Sequence, residues 1–209
     1  MLDPFIEAEG QYVCGLISAL LSVAAFAPYI RDTLLYDTRP LRASWLIWSV
    51  LSGISFVSQV AEGATMSLFY AGVQSGGTIF IFLLAIRRGA GEFLGGSDAF
   101  VLAGACVGLF LWFATESAAY ALIISCGISL LGGSVTIAKA FAQPGSETMS
   151  CWLLNLIAST FALMSVGQLD LILMAYPIYL LILNGAIVAA LILGRSMRHS
   201  AFASARPGL

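Results

Sequence analysis

The chain has 209 residues, of which 60% are hydrophobic and only 10% charged, and its mean hydropathy is +0.96. Soluble domains carry about 25% charged residues, so this chain cannot cover itself with a polar surface and we expect it to lie in a lipid bilayer. Its formal net charge of −2 provides no basic face and argues against a nucleic-acid-binding protein.

Seven apolar runs are long enough to cross a bilayer core, which takes about 20 helical residues. We therefore predict an all-α integral membrane protein with seven transmembrane helices and no soluble domain. Residues 1–11 are predicted as an extracytoplasmic tail that lacks the features of a signal peptide, and residues 195–209 as a cytoplasmic tail. The seven spans, in chain order, are 12–34, 43–61, 64–86, 98–114, 117–140, 149–167 and 169–194.

The basic residues follow this topology. With the N-terminus outside, all nine lysines and arginines fall in segments on the inside. The outside segments contain acidic residues and no basic residue. Positive charge marks the cytoplasmic side of membrane proteins. We therefore predict an external N-terminus and a cytoplasmic C-terminus, in the plasma (inner) membrane.

One loop-to-helix corner occurs twice, about 107 residues apart. Trp45 aligns with Trp152 and Ser52 with Ser159. Any two membrane corners could share tryptophan and serine, but the spacing holds over two helices and favours two parallel three-helix repeats. Parallel repeats of this kind occur in transporters, with the site between them near mid-bilayer. The predicted units are the first repeat at 12–86, a linker helix at 98–114 and the second repeat at 117–194.

Four uncharged amides lie deep in the spans: Gln59, Gln74, Asn155 and Asn184. An amide in hydrocarbon costs several kcal/mol unless it is paired, so these side chains must face other helices or a wet cavity. Converging amides and hydroxyls suit a neutral, hydrogen-bonding solute. Hydrogen bonds between helices, worth about 0.6 kcal/mol each, are the alternative. We favour that alternative for the serines and a binding site for Gln74 and Asn184, and leave both open for Asn155 and Gln59.

Aromatic residues and glycines have two interpretations each. Trp45 and Trp152, which open their spans, are predicted to lie in an interfacial aromatic belt. Trp48 lies one turn deeper. It could belong to that belt or form the wall of a cavity, and both interpretations stay open. The pairs Gly76-Gly77 and Gly132-Gly133 are read as sites of close helix packing rather than hinges. Charged residues near the inner end of the first span are read as a topology signal, with an inner gate as the alternative; they include Arg31, Asp32, Asp37, Arg39 and Arg42.

Several of these features occur together in a known superfamily. They are Pro28, the corner 38–45 and its copy 146–152, and the stretch YPIYLLILNG at 176–185. On these residues and its topology, nearly the whole chain resembles the SWEET and PQ-loop superfamily of seven-helix transporters. The proline-glutamine pair of that superfamily is absent, and tryptophans hold the places of two of its prolines.

The resemblance implies particular roles for particular residues. Asn184, and Gln74 at the corresponding place in the first repeat, would bind the solute in a central pocket. Phe56 would form an aromatic wall, and Pro28 would bend the first helix. The resemblance also implies transport by alternating access, of a sugar or a related solute.

Missing residue types narrow the function further. A retinal pigment needs a lysine in the last helix, and the only lysine is Lys139, at the end of the fifth span. No intramembrane carboxylate offers a coupling site for protons or sodium, so uncoupled movement is the simpler expectation. No His, Cys or carboxylate cluster and no nucleotide-binding motif occurs in the sequence. We therefore expect no enzymatic activity, metal or cofactor.

Together these observations predict a facilitative transporter of a small neutral solute, which could be sugar-like, a vitamin or a nucleoside. Gln74 and Asn184 would bind it, and secondary lining would come from Asn155, Gln59, Trp48 and Phe56. The alternative is a non-transporting seven-helix subunit or receptor that scaffolds a partner protein or a pigment. Expected partners are the solute, the bilayer and a homo-oligomer or larger membrane complex, with no nucleic acid. A continuous water-filled cavity would favour transport, and a dry interface the scaffold.

Overall fold

The structure, a computed structural model, describes residues 4–91, 118–167 and 169–204, together with three single residues between the first two ranges. Within these residues the fold is all-α, as predicted, and contains six α-helices. A short 3₁₀ turn at Pro144–Ser146 precedes the fifth helix. The helices are α1 (Pro4–Leu35), α2 (Arg42–Ala61), α3 (Ser67–Arg88), α4 (Ala118–Ala142), α5 (Met149–Met164) and α6 (Leu171–Ser204).

Five of the six helices are long and apolar enough to cross a membrane, and α5 is a shorter apolar helix of 16 residues. These lengths and compositions indicate a membrane protein. The fourth predicted span, 98–114, lies outside the described residues except for Ala103, Cys106 and Phe110, which are helical and exposed. The number of seven spans therefore stays a prediction.

The other six predicted spans coincide with the six helices and differ from them mainly at the ends. α1 is helical from Pro4, the first described residue, and so includes most of the predicted N-terminal tail. α6 continues to Ser204, into the predicted cytoplasmic tail. α5 ends at Met164, before the predicted limit of 167, since Gly167 has a φ of +76°, which ends a regular helix.

The six helices form a closed ring, in which each helix makes its main contacts with two others. α3 contacts both α1 and α2, and α6 contacts both α4 and α5. The ring is completed by α1, which packs on α5, and by α2, which packs on α4. The main hydrophobic core draws residues from all six helices, so it fills the centre of this ring.

Two glycines allow this close approach. A Cβ atom on Gly77 would overlap the ring of Phe26 on α1, and one on Gly133 would overlap the side chain of Leu183 on α6. Both glycines are sites of close packing, as predicted. By contrast, a Cβ atom on Gly76 would have no neighbour within 4 Å among the described residues. The two adjacent glycines of α3 therefore have different roles.

Candidate functional site

A small cavity lies at the centre of the bundle, and every one of the six helices contributes to its wall. Its volume, measured with a water-sized sphere, is about 30 Å³. A single water needs about 10–15 Å³ on that measure, so this conformation has room for about two waters. None of the described lining residues is charged. They are Phe26, Trp45, Trp48, Ser52, Gln74, Thr78, Ser129, Cys151, Trp152, Asn155, Tyr176, Tyr179, Leu180, Leu183 and Asn184.

Three buried polar side chains on three helices form a hydrogen-bonded triad at this cavity. Gln74 Nε2 donates to Asn155 Oδ1 at 2.6 Å and to Ser22 Oγ at 2.7 Å. Ser22 Oγ in turn donates to Asn155 Oδ1 at 2.9 Å. The triad joins α1, α3 and α5, and thus links two of the first three helices in the chain to one of the last three. Among the described residues, Asn155 Nδ2 donates only to Cys151 Sγ, a weak acceptor, at 3.6 Å, so of the amide donors in the triad it has the weaker partner.

Asn184 on α6 completes the set of amides around the cavity. Its side chain is buried, at 2% exposure, and its Nδ2 has no hydrogen-bond partner among the described residues. An unpaired buried donor costs about 1–3 kcal/mol. A solute or water in the cavity could accept a hydrogen bond from this group and remove that cost.

Two further contacts connect α2 to its neighbours at the cavity wall. Ser52 Oγ and Thr78 Oγ1 lie 2.9 Å apart, which joins α2 to α3. Trp48 Nε1 donates to the backbone oxygen of Ser129 at 3.2 Å, which joins α2 to α4. Trp48 therefore forms part of the cavity wall and has no free N–H group for a solute.

Aromatic rings flank the cavity in two groups. Tyr29, Trp45, Trp48 and Trp152 form the first group, with ring centroids 5.1 to 6.3 Å apart. The second group is formed by Tyr70, Tyr176 and Tyr179, with centroids 6.5 and 5.9 Å apart. Pairs at such distances attract each other beyond the effect of their buried area. Each group is thus a packed cluster next to the cavity.

The aromatic-belt prediction for Trp45 and Trp152 is wrong. Their side chains are 3% and 4% exposed and belong to the first aromatic group. The indole N–H of Trp152 does not need a lipid headgroup, because it donates to Glu147 Oε2 at 3.1 Å. A buried carboxylate therefore takes the place of the interfacial partner that the belt interpretation assumed.

The structure brings together four of the six predicted solute-binding residues: Gln74, Asn155, Asn184 and Trp48 line the cavity. Gln59 and Phe56 do not. Both lie beyond Ser52 on α2, farther along the helix than the cavity reaches. Gln59 is fully buried and donates from Nε2 to Ser55 O at 3.2 Å. Phe56 packs against Gly72 of α3, where a Cβ would lie 3.4 Å from its ring.

Pro28, predicted to bend the first helix, lies inside α1 and is half-buried. The helix continues past it, so its role in bending stays a prediction.

Ser22, a member of the triad, was not singled out from the sequence. One signal could have found it: Ser18, Ser22, Ala25 and Tyr29 recur at helical spacing, and all four are completely buried.

A second polar cluster, here called the Glu147 cluster, lies where α1 ends and α5 begins. Lys139 Nζ forms an ion pair with Glu147 Oε1 at 2.7 Å, and the Glu147 side chain is only 1% exposed. Thr148 Oγ1 donates to Asp32 Oδ2 at 3.0 Å and lies 2.9 Å from Thr38 Oγ1. Of the charged residues predicted to form an inner group, only Asp32 takes part through its side chain in these contacts.

No protein-family model, curated protein or solved structure matches the chain. The likeness to the SWEET and PQ-loop superfamily therefore remains a prediction. Within the described residues, no group of three or more His, Cys, Asp or Glu side chains could hold a metal ion. The cavity offers amides, hydroxyls and aromatic faces, which bind by hydrogen bonding and stacking.

Proposed function

We propose that the protein is a facilitative transporter that moves a small neutral solute by alternating access. The observation that carries this proposal is the meeting of Gln74, Asn155 and Asn184 at one uncharged cavity in the centre of the bundle. Of the buried side-chain atoms without a hydrogen-bond partner among the described residues, Asn184 Nδ2 is the one whose residue lines this cavity. A solute with acceptor oxygens, such as a sugar, a vitamin or a nucleoside, would use that donor.

The helix contacts support an arrangement of two parallel three-helix repeats. Residues 22 and 129, like residues 48 and 155, are separated by the 107-residue offset of the two tryptophan corners. Trp48 donates to Ser129, and Ser22 donates to Asn155. If residue i contacts residue j of the other unit, a pseudo-twofold axis requires the equivalent of i to contact the equivalent of j. These two hydrogen bonds satisfy that reciprocity.

The two aromatic groups support a gated cycle around this axis. On α3, Tyr70 lies one turn before Gln74, and on α5, Trp152 lies about one turn before Asn155. In the predicted topology these helices run in opposite directions, so the tyrosine group covers the cavity from outside and the tryptophan group from inside. Rocking of the repeats would open each group in turn. In its present state the cavity is compact, with a volume of about 30 Å³.

Opening this compact state breaks the triad and separates one aromatic group. Separation of α1, α3 and α5 at the triad breaks three side-chain hydrogen bonds, each worth about 0.6 kcal/mol between membrane helices. The triad thus contributes about 2 kcal/mol, and each aromatic pair that separates adds about 0.5–1.5 kcal/mol. A solute that replaces the hydrogen bonds of the triad would offset that part of the cost.

Uptake into proteoliposomes tests this proposal. A panel of labelled sugars, vitamins and nucleosides would be offered to wild-type protein, to Asn184→Ala and to a control, Gln143→Ala, whose amide is exposed in the α4–α5 loop. We expect saturable uptake of one solute by wild type and the control, and loss of about tenfold or more in Asn184→Ala. Equal uptake by Asn184→Ala would contradict the assigned site.

The small size of the cavity favours a second candidate, a non-transporting membrane subunit or receptor. A cavity that holds about two waters is closer to a filled interface than to an open channel. The exposed apolar face of such a subunit would bind a partner protein or pigment within the membrane. Absence of uptake for every solute, with folded protein, would favour this candidate, and its partner would be sought among molecules that co-purify.

A further inference from the structure

A second, open pocket lies at the end of the bundle where α1 and α3 end, outside the central cavity. Its volume is about 320 Å³, within the range of small-molecule sites. Three of its lining residues are arginines: Arg39 from the α1–α2 loop and Arg87 and Arg88 from the last turn of α3. The remaining lining residues are Thr33, Tyr36, Thr38 and Gly89.

The side chains that line this pocket carry three positive charges and no negative one. None of the three arginines forms an ion pair with a carboxylate of the described residues. The ends of α1 and α3 each contribute about half a negative charge from their terminal carbonyl groups, and Arg88 donates to one of these, the backbone oxygen of Leu34. Three full positive charges exceed these two partial ones together with the negative charge of Asp37 in the α1–α2 loop, so the pocket attracts an anion.

Thr33 provides an independent sign of a ligand. It lines the same pocket, its side chain is 2% exposed, and its Oγ1 has no hydrogen-bond partner among the described residues. A buried hydroxyl normally bonds, most often to the carbonyl one turn earlier in its helix. Thr38 by contrast is already engaged with Thr148. The Oγ1 atom is buried as it stands, and a turn of the Thr33 side chain about χ1 would bring its hydroxyl to an anion in the pocket.

We propose that this pocket binds a phosphate group, with Arg39, Arg87 and Arg88 supplying charge and Thr33 supplying a buried donor. Guanidinium groups match the oxygens of phosphate in pairs, which a point charge cannot do. The pocket lies on the predicted cytoplasmic side. There the phosphate could belong to the headgroup of an anionic lipid or be free in solution, and both share this chemistry. A bound phosphate would link the end of α1 to the end of α3.

Two measurements on the full-length purified protein separate these sources. The first follows thermal unfolding in a neutral detergent during titration with inorganic phosphate, against chloride at the same ionic strength. The second uses native mass spectrometry to compare retention of phosphatidylglycerol with that of phosphatidylcholine. The variants are Arg87→Gln/Arg88→Gln, the nearly isosteric Thr33→Val, and the control Arg195→Gln, an exposed arginine of α6 that does not line the pocket.

We expect the double arginine variant to weaken binding by about tenfold or more, and Thr33→Val by roughly tenfold to a hundredfold, as for a hydrogen bond to a charged group. Arg195→Gln should bind as wild type does. An effect confined to phosphatidylglycerol would identify a lipid headgroup, and one confined to inorganic phosphate a soluble anion. The proposal is overturned if the protein prefers neither inorganic phosphate over chloride nor phosphatidylglycerol over phosphatidylcholine. It is also overturned if such a preference persists unchanged in both Arg87→Gln/Arg88→Gln and Thr33→Val.

Discussion

Gln74 and Asn155, 81 residues apart in the chain, are joined side chain to side chain by a hydrogen bond of 2.6 Å at the centre of the helix bundle. The bond links α3 to α5, and Ser22 of α1 closes the triad. Both amides lie at the wall of the one cavity that touches all six described helices. The same contact therefore holds the bundle together and defines its candidate binding site.

A double-mutant cycle on Gln74→Ala and Asn155→Ala measures the strength of this contact. Each single variant leaves a buried polar partner unpaired, so each should lower the free energy of unfolding by about 1–3 kcal/mol. The coupling energy should be about 0.6–1.7 kcal/mol, the range found between membrane helices. Thermal or denaturant unfolding in nanodiscs provides the measurement, and additive effects of the two substitutions would disprove the contact.

Adjacent glycines of α3 should respond in opposite ways to the same substitution. Gly76→Ala places a methyl group in open space and gains helix propensity, about 1 kcal/mol. Gly77→Ala gains the same propensity but pushes a methyl group into the ring of buried Phe26, and such overpacking costs about 1–3 kcal/mol. We expect Gly77→Ala to be less stable than Gly76→Ala by about that amount. Equal melting temperatures for the two variants would show that α1 and α3 do not pack as described.

The buried ion pair of the Glu147 cluster should matter far more than the exposed pair beside it. Glu147→Gln leaves the Lys139 ammonium without its counter-charge, which costs about 3–5 kcal/mol in a buried pair. Arg31→Gln removes the partner of Asp32 in an exposed pair, with Arg31 63% exposed, and should cost about 0–1 kcal/mol. Unfolding curves of the two variants test this contrast. If Glu147→Gln lowers the free energy of unfolding as little as Arg31→Gln does, the Lys139 ammonium is solvated and the ion pair is not buried as described.

Hydrophobic run length was sufficient to predict six of the helices, because a bilayer core imposes a minimum on every span. Their ends were less predictable. The carboxyl end of α5 depends on the left-handed backbone of Gly167, and α1 gains turns from Pro4 onward. Such features depend on local backbone conformation rather than on hydropathy.

The amides of the site were predictable for a similar reason, since an amide at membrane depth must face a partner or a cavity. Four of the six predicted residues line the cavity, but the sequence did not indicate how far along α2 the cavity extends, and so Gln59 and Phe56 were included. Burial of Trp45 and Trp152 was missed because an aromatic residue at a helix start usually meets lipid headgroups. Only the tertiary contact with Glu147 shows why Trp152 does not.

Reciprocity between the two proposed repeats gives a further prediction. Ser129 is the equivalent of Ser22 under the 107-residue offset, but it accepts the Trp48 N–H through its backbone oxygen rather than its side chain. Ser22→Ala should therefore cost about 1 kcal/mol, because it removes a buried side-chain partner of Gln74 and Asn155. Ser129→Ala should cost less. Melting temperatures of the two variants test this ranking, and a larger loss for Ser129→Ala would reverse it.

Two-sided access to the cavity is the claim that separates a transporter from a scaffold, and it can be tested without knowledge of the solute. Asn184→Cys would be introduced after replacement of Cys14, Cys106, Cys126 and Cys151 by serine or alanine. A membrane-impermeant thiol reagent would then be applied to right-side-out and inside-out vesicles. A matched variant, Gln143→Cys in an exposed loop, reports the orientation. Alternating access predicts that the thiol of the Asn184→Cys variant reacts from both sides, while that of Gln143→Cys reacts from one. Reaction of the Asn184→Cys thiol from neither side, in folded protein, would contradict the transporter account.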